Sequence, residues 1–263
     1  MRLEVITRKP ASVSRCTPVL FVHGMWHAAW CWEEHFLPYF SQHGYASHAL
    51  SLRGHGGSER YGNLRWASLD DYASDLAEVA GQFEVPPVLV CHSMGSMVAQ
   101  RYLESHQASA IVFMAPVPAT GAMPATMRIF LRHPWLALKA NLTLNLRQLF
   151  DSPRQARDLL FSQDMPEERV AFYFDRLQDE SFRVYLEMQG LNLPRLKSID
   201  VPLLVTGAEN DRIISAGEVA ETGRRFGVEA ECFPDMAHDM MLESGWRLAA
   251  DRIIAWLDVL ELQ

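Results

Sequence analysis

The stretch Val85-Pro-Pro-Val-Leu-Val-Cys-His-Ser-Met-Gly-Ser-Met-Val-Ala-Gln-Arg101 decides the fold. Its apolar run at 88–90 is largely β-branched, which is typical of a strand buried on both faces. Residues 96–101 have a composition that favours a helix. Between the two lies a tight turn that carries Ser93. A strand, a turn with a serine and a helix form the arrangement known as a nucleophile elbow.

Ser93 has two interpretations on this stretch alone. A serine between a strand and a helix often serves as the helix N-cap. At an elbow, the same hydroxyl would stand clear of the sheet, above a helix N-terminus that favours negative charge. Gly95 allows helix and strand to pass closely, whereas Cys91 stands where the usual Gly-x-Ser-x-Gly pattern has its first glycine. The choice depends on whether the chain also supplies a base, an acid and an anion-binding pocket.

The composition limits the class of protein. The 263 residues suffice for one large domain with an inserted subdomain, and 49% hydrophobic with 21% charged residues is ordinary for a globular protein. With 24 Lys and Arg against 32 Asp and Glu, the formal net charge of −8 argues against a nucleic-acid partner. The four cysteines form no C-x-x-C pair, so we expect reduced thiols and no zinc. Because no signal-peptide pattern and no long apolar run occur, we expect a cytoplasmic protein without a membrane span.

Strand-like runs alternate with helical patterns along most of the chain. The strand-like runs lie at 3–7, 18–22, 45–52, 88–90, 110–114, 201–206 and 229–233. Helical patterns include one that begins at Ser68-Leu-Asp-Asp71, which resembles a capping box, and another at 216–226. This alternation predicts an α/β fold with a mostly parallel, doubly wound sheet. In such sheets, functional groups collect beyond the carboxyl ends of the strands.

The alternation stops between 118 and 197, where there is no clear strand and four prolines divide the sequence into short helical patterns. We expect a helical cap here, inserted after the sixth strand, on an α/β core formed by residues 1–117 and 198–263. Many of its Met and aromatic residues must serve ordinary helix packing. Because a small cap cannot bury all of them, some should line a pocket, which favours an apolar substrate. The candidate pocket residues are Trp26, His92, Met123, Met127 and Phe130.

Two later loops carry the groups that a serine nucleophile needs. A serine hydroxyl requires a base within hydrogen-bonding reach, and a third group orients that base. His238 follows the last strand-like run, and the loop after 201–206 carries Glu209 and Asp211. We expect Asp211 to be the acid, with Glu209 as the alternative, because both lie in one turn. Asp239 is too close to His238 in sequence to orient it, and we expect it at the solvated surface.

Backbone N–H groups should form the anion-binding pocket. One candidate is the amide of Met94, which follows the serine at the start of its helix. The other is the amide of Met25, in the loop after the run at 18–22, where Gly24 lets the backbone turn without steric cost. His23 and His27 lie four residues apart, but they are in a loop without an acidic partner at helix spacing. We therefore expect no metal.

Five motifs occur in one order along the chain: His23-Gly24, Arg53-Gly-His-Gly-Gly-Ser58, His92-Ser-Met-Gly95, Gly207-Ala-Glu-Asn-Asp211 and His238. Together they resemble the α/β-hydrolase superfamily over nearly the whole chain outside the cap. The stretch 23–32 further resembles the small esterases and hydroxynitrile lyases of that superfamily. The resemblance implies that Ser93 is the nucleophile, His238 the base and Asp211 its orienting partner. It also implies an oxyanion hole formed by the amides of Met25 and Met94.

These observations lead to one expected function and two alternatives. We expect a serine hydrolase without a cofactor that cleaves a carboxylic ester of a lipophilic small molecule through an acyl-enzyme. The same triad could act on another bond, as in a C–C hydrolase, thioesterase, lactonase or hydroxynitrile lyase, because fold does not fix the reaction. A more distant alternative is a non-catalytic ligand receptor. The expected partner is the small ester substrate, and the sequence leaves the oligomeric state open.

Overall fold

The computed structural model describes residues 2–11, 15–60, 62–260 and 262, and a seven-stranded sheet forms their centre. The strands are β1 (Val5–Arg8), β2 (Val19–Val22), β3 (Ser47–Leu50), β4 (Val88–His92), β5 (Ala110–Met114), β6 (Leu203–Ala208) and β7 (Ala230–Phe233). Their order across the sheet is β1-β3-β2-β4-β5-β6-β7. Strand β1 runs antiparallel to β3, and all other neighbours are parallel. The predicted mostly parallel α/β sheet is confirmed.

Burial of the central strands explains their unbroken apolar runs. Every residue of β2, β4, β5 and β6 is buried, so both faces of the sheet centre are covered. In the register of β4, Cys91 lies opposite Val22 on one side and Phe113 on the other. The carboxyl ends of these three strands therefore reach the same edge of the sheet. Side chains on the loops beyond this edge lie close together.

Eleven helices accompany the sheet in the described part of the chain. They are α1 (Trp30–Glu33), α2 (Phe36–Gln42), α3 (Leu69–Ala80), α4 (Met94–Tyr102), α5 (Met123–Arg132), α6 (Pro134–Thr143), α7 (Pro153–Leu160), α8 (Glu167–Phe174), α9 (Phe182–Leu186), α10 (Ala216–Phe226) and α11 (Trp246–Asp258). The predicted capping box at the start of α3 is present, since the side chains of Ser68 and Asp71 each accept a hydrogen bond from the other residue's backbone N–H. No described helix combines the length and the apolar character needed to cross a bilayer.

Helices α5 to α9 lie between β5 and β6, in the region for which the sequence predicts an inserted cap. A 3₁₀ turn at Leu146–Leu149 and a π turn at Glu187–Leu191 also occur there. Prolines stand in the first turn of α5, α6 and α7, where a missing N–H costs no helical hydrogen bond. The predicted position after a sixth strand is wrong. In the described residues only β1 to β5 precede these helices, because the chain before them forms no further strand.

Buried polar contacts attach the inserted helices to the loops of the sheet. The Glu180 carboxylate lies 3.2 Å from Nε2 of His55, and both side chains are fully buried. The Tyr72 hydroxyl donates to the same carboxylate over 2.5 Å. Burial alone would raise the pKa of Glu180, but the His55 imidazole holds it below its ordinary value. Burial likewise opposes the charged form of His55, and Glu180 nevertheless raises its pKa. This ion pair fixes the chain just before α9 against α3 and the loop after β3.

Candidate active site

Ser93 occupies a strained turn between β4 and α4. Its φ of 50° lies in the left-handed region, which a residue other than glycine adopts only when the surroundings enforce it. The helix behind it passes very close to the sheet: a Cβ added to Gly95 would lie 2.7 Å from the carbonyl oxygen of Val22. Ser93 stands at the N-cap position of α4, yet its side chain makes no capping hydrogen bond. The hydroxyl is therefore available for another partner.

That partner is the imidazole of His238. Nε2 of His238 lies 3.0 Å from Oγ of Ser93, and its Nδ1 lies 2.7 Å from Oδ2 of Asp211. A carboxylate only accepts, so Nδ1 carries a proton and, in the neutral ring, Nε2 is left free to accept the serine proton. Burial by itself would lower the pKa of His238, but the Asp211 carboxylate raises it above the ordinary value. The structure thus brings together the three side chains that the sequence singled out.

Asp211, and not Glu209, makes this contact. Oδ1 of Asp211 accepts hydrogen bonds from the backbone N–H groups of Ile213 at 2.7 Å and Ile214 at 2.9 Å. These two amides fix the carboxylate so that its second oxygen faces His238. Glu209 lies two residues earlier in the same turn and is exposed to solvent. The alternative that the sequence left open is therefore decided in favour of Asp211 as the partner of His238.

The two backbone amides of the predicted oxyanion hole lie on the loops expected for them. Met94 is the first residue of α4, so its N–H has no partner within the helix. Met25 lines the same cavity as Ser93. The next residue, Trp26, has a φ of 67°, so the loop after β2 is held in an unusual conformation directly beside this cavity. The role of the two amides stays a prediction.

A second histidine–carboxylate pair lies beside the first. Nε2 of His27 is 2.9 Å from Oδ2 of Asp239, and both side chains are buried. Nδ1 of His27 lies 2.7 Å from the carbonyl oxygen of Met25. Burial would raise the pKa of Asp239, but His27 holds it below its ordinary value. The expectation that Asp239 lies at the solvated surface is wrong: its side chain has no exposure because it packs against this partner from the loop after β2.

His92 does not line the pocket, contrary to the prediction. It is fully buried at the end of β4, and its Nε2–H donates to the backbone carbonyl oxygen of His238 over 2.9 Å. Burial lowers its pKa to about 3, so the ring is neutral and supports the loop of His238 from behind. One donor atom each from His92, His238 and Asp239 lies within 4.8 Å of the others. Because both ring nitrogens of His238 are already engaged, a metal here would have to displace one of its hydrogen bonds.

Two adjoining cavities extend from Ser93 into the inserted helices. The first, about 60 Å³, is lined by Met25, Trp26, Ser93, Val117, Ala122, Ala125, Thr126, Ile129, Leu146, Leu149, Tyr185, Met188, Gln189, Ile213 and Ile214. The second, about 260 Å³, shares Thr126, Ile129, Leu146, Leu149 and Tyr185 with it and adds Met127 and Phe130 among others. Three predicted pocket residues, Trp26, Met127 and Phe130, therefore line cavities. Met123 lines neither, since it is half exposed on the outer side of α5.

The sheet order, the turn at Ser93 and the cluster around His238 are together typical of one class of enzyme fold. The sequence model of the alpha/beta hydrolase family matches residues 19–252. The chain belongs to the α/β hydrolase family.

Comparisons with individual proteins agree with this assignment. The chain is 25% identical to a non-heme haloperoxidase of Rhodococcus erythropolis, covering 89% of this chain and 90% of that protein. Among solved structures it is similar to an esterase from Exiguobacterium antarcticum, with a TM-score of 0.77 at 16% identity, covering 97% of this chain and 95% of that one. It is also similar to a monoacylglycerol lipase from Paleococcus ferrophilus, with a TM-score of 0.68 at 18% identity, covering 98% of each chain. At these identities, the structural likenesses establish the fold alone.

Proposed function

We propose that this protein is a serine hydrolase that cleaves a carboxylic ester of a lipophilic small molecule through an acyl-enzyme. The observation that carries the proposal is the continuous hydrogen-bonded line from Oγ of Ser93 through His238 to Asp211, which ends at an apolar cavity. A serine hydroxyl is a weak nucleophile, and it needs a base that is itself held in the correct tautomer. The contacts of His238 meet both requirements.

In the first half of the reaction, Oγ of Ser93 attacks the ester carbonyl carbon and its proton passes to Nε2 of His238. The new C–O bond moves the carbonyl electron pair onto oxygen, and the amides of Met25 and Met94 would donate to that oxyanion. Collapse of this intermediate breaks the bond to the alcohol, which leaves with the proton from His238. The acyl group remains on Ser93.

In the second half, a water molecule gives its proton to the same nitrogen of His238 and attacks the acyl carbon. The second tetrahedral intermediate releases the carboxylic acid and returns the proton to Ser93. Asp211 stays ionised throughout and stabilises the imidazolium that forms twice in each cycle. Turnover therefore needs neutral His238 in the free enzyme. Because its pKa is raised, we expect activity to fall, as the pH decreases, at a higher pH than an ordinary histidine would give.

The shape of the cavities supports a lipophilic acyl or alcohol group. Side chains such as Ala125, Ile129, Leu146 and Leu149 form their walls, with few polar atoms exposed. The cavity at Ser93 is small, so a chain longer than acetyl would extend into the larger cavity between α5 and α6. We infer from this that the inserted helices act as a cap over Ser93 and select the substrate.

Replacement of the nucleophile tests the proposal directly. We expect Ser93→Ala to lose at least about 10³-fold in turnover of p-nitrophenyl butyrate while remaining folded. The matched control is Ser105→Ala, at an exposed position, which should keep full activity. A fluorophosphonate probe should add one adduct to the parent protein by mass spectrometry and none to Ser93→Ala. Unchanged turnover and labelling in Ser93→Ala would exclude this mechanism.

A substrate panel distinguishes the ester from other bonds that the same side chains could cleave. Turnover of butyrate and hexanoate esters should exceed that of thioester, lactone and β-diketone substrates of similar size. Within the esters, kcat/KM should rise from acetate to hexanoate, because each added methylene that the cavity removes from water contributes about 0.8 kcal/mol to binding. A sharp optimum at acetate would contradict the lipophilic pocket, and preference for another bond would reassign the reaction.

A further inference from the structure

Large apolar side chains are exposed on the outward sides of α5 and α6. They are Met123, Met127, Phe130 and Leu131 on α5, with Trp135, Leu138 and Leu142 on α6. Their spacing of three, four and seven residues puts the members from each helix on one side of that helix. The two helices follow one another directly in the chain and pack against each other. We call this surface the α5–α6 face.

The α5–α6 face differs from the remaining surface. The other large apolar side chains that are exposed in the described residues are spread over the chain: Trp66, Phe172, Leu191, Leu248 and Val259. On the α5–α6 face, by contrast, Leu131, Trp135 and Leu142 are 73%, 73% and 75% exposed within twelve positions. Single exposed apolar residues are ordinary on proteins, whereas a group of them marks an interaction site.

The same face adjoins the cavities of the candidate active site. Met127 and Phe130 belong to the face and also line the larger cavity between α5 and α6. That cavity shares five lining residues with the cavity at Ser93, so the two cavities adjoin. An apolar molecule that leaves the α5–α6 face at Phe130 would therefore meet apolar walls along its path to the hydroxyl.

The charge of this region is opposite to that of the protein as a whole. Residues 119–150 contain Arg128, Arg132, Lys139 and Arg147 and no Asp or Glu, although the chain has a formal net charge of −8. Carboxylates from other elements approach three of these groups, since Arg128 pairs with Glu218, Arg132 pairs with Asp158 and Asp175 acts on Arg147. Lys139 is exposed on α6, four residues after Trp135 and three before Leu142, and no described carboxylate forms an ion pair with it. An anionic surface would attract this region and repel the rest, which orients the molecule.

We propose that the α5–α6 face lies on the surface of a bilayer that contains anionic lipid, and that lipophilic substrate reaches Ser93 from there through the two cavities. The second part rests on the proposed function. Helices with an apolar side, a tryptophan and basic residues lie in the interfacial plane of a bilayer. A second copy of this chain on the same face would instead cover Met127 and Phe130 and close the path to Ser93.

Binding is tested without turnover, on the full chain carrying Ser93→Ala. This protein should sediment with vesicles of phosphatidylcholine and phosphatidylglycerol, and more weakly with phosphatidylcholine alone. Adding Leu131→Glu and Trp135→Glu should weaken binding at least about tenfold, because two exposed apolar contacts become acidic. The matched control adds Leu248→Glu and Val259→Glu, which bring the same charge to exposed positions on and after α11. Circular dichroism checks that all variants are folded.

Several results would overturn the docking surface. Three of them are failure of the parent to bind vesicles, an equal loss of binding in both double variants, and equal binding of the parent to both vesicle types. A dimer in light scattering that only Leu131→Glu with Trp135→Glu dissociates would show instead that a second copy covers the face. With the catalytic serine restored, that double variant should hydrolyse soluble p-nitrophenyl acetate like the parent but lose turnover of a long-chain ester held in vesicles. Vesicle binding without hydrolysis of any ester would support the surface and overturn the substrate route.

Discussion

Replacement of Asp211 by asparagine tests the role of this one carboxylate, because every other acidic group near His238 is left unchanged. The carboxylate has two fixed tasks, because Oδ1 accepts from the amides of Ile213 and Ile214 while Oδ2 accepts from Nδ1–H of His238. An asparagine has one oxygen and one NH₂ group. The two amides can only donate, so they retain the oxygen, and the NH₂ group is left facing the imidazole.

The consequence is an inverted tautomer. Nδ1 of His238 must then accept from the Asp211→Asn side chain, and the ring proton moves to Nε2. A protonated Nε2 at 3.0 Å from Oγ of Ser93 cannot accept the hydroxyl proton. From this geometry we expect kcat to fall by about 10⁴-fold, the scale that a wrong tautomer produces in a serine triad. KM should change little because Asp211 does not line the cavity at Ser93.

The charge has a separate, measurable effect on pH dependence. The Asp211 carboxylate lies 2.7 Å from Nδ1 of His238, and this opposite charge raises the pKa of the imidazole although burial alone would lower it. Asparagine carries no charge, so we expect the pKa of His238 to fall in Asp211→Asn. The sign follows from the raised pKa in the parent: loss of the anion lowers it, and the acidic limb of the pH profile moves to lower pH.

The assay is kcat/KM for p-nitrophenyl butyrate from pH 5 to 9, with urea unfolding to check stability. Glu209→Gln is the matched control, since it removes the same charge from the same turn at an exposed side chain. It should stay within about twofold of the parent, because an exposed charge is strongly screened. A loss in Glu209→Gln equal to that in Asp211→Asn, or an unmoved acidic limb in Asp211→Asn, would refute this reasoning.

Three further predictions concern the supports of the site. Glu180→Gln should lower the free energy of unfolding by about 3–5 kcal/mol because it leaves His55 buried without its anion. The pKa of Glu180 is lowered and that of His55 is raised, so both groups are charged between about pH 5 and 6.5. Urea unfolding should therefore show the largest loss in this range and a smaller loss at lower and higher pH. Gly95→Ala should lower the free energy of unfolding by about 1–3 kcal/mol, because its Cβ would lie under 3 Å from backbone oxygens. The control Gly217→Ala meets nothing closer than 3.8 Å and should leave the free energy of unfolding unchanged or raise it. His27→Gln should lower kcat about 10- to 100-fold with KM nearly unchanged in steady-state assays, because it releases the loop beside Ser93; equal changes in both constants would contradict that role.

Local signals in the sequence predict the elbow and the convergence of three loops. Strand β4, the turn and α4 follow one another without interruption, so this stretch singles out Ser93, and the later loops with Asp211 and His238 favour a nucleophile over a helix N-cap. Parallel strands bring their carboxyl ends to one edge, which makes the approach of Asp211 and His238 a consequence of sheet topology. The choice between Asp211 and Glu209 was open because it depends on the direction of one turn. That direction is fixed by the amides of Ile213 and Ile214, which composition does not reveal.

Contacts between residues that are distant in the sequence explain the wrong predictions for Asp239 and His92. His27 and Asp239 are 212 positions apart, and nothing near either residue identifies the other as its partner. An acidic residue next to a histidine on a loop is most often solvated, so the sequence pattern does not predict the burial of Asp239. The apolar run Met240-Met241-Leu242 directly after it was the one available hint of burial. His92 was misplaced for a related reason, since its bond to a backbone carbonyl leaves no pattern in the sequence.

The inserted helices show a different limit. Hydrophobic spacing indicates that α5 and α6 are helices, but it does not tell which apolar side faces the protein. Ile129 is buried, whereas Met123 and Leu131 on the same helix are exposed. A helix with apolar residues on more than one side can rotate between alternatives, and contacts with the rest of the chain decide. The pocket residues were therefore only partly predictable, even where the element was.

Buried histidine–carboxylate pairs recur around the site, and they can be told apart by what lies beyond the imidazole. Within the described residues, three such pairs are almost fully buried: Asp211 with His238, Asp239 with His27, and Glu180 with His55. Burial of a charged carboxylate with its partner rarely stabilises a protein more than apolar packing would, so each pair is better explained by what it holds in place. His27 bonds onward to the carbonyl of Met25 and His55 to that of Arg53, and both carbonyls are inert acceptors. Of the three, only His238 forms a further hydrogen bond to a hydroxyl that faces a cavity. Loss of its carboxylate should therefore lower kcat, whereas loss of Glu180 should lower the free energy of unfolding.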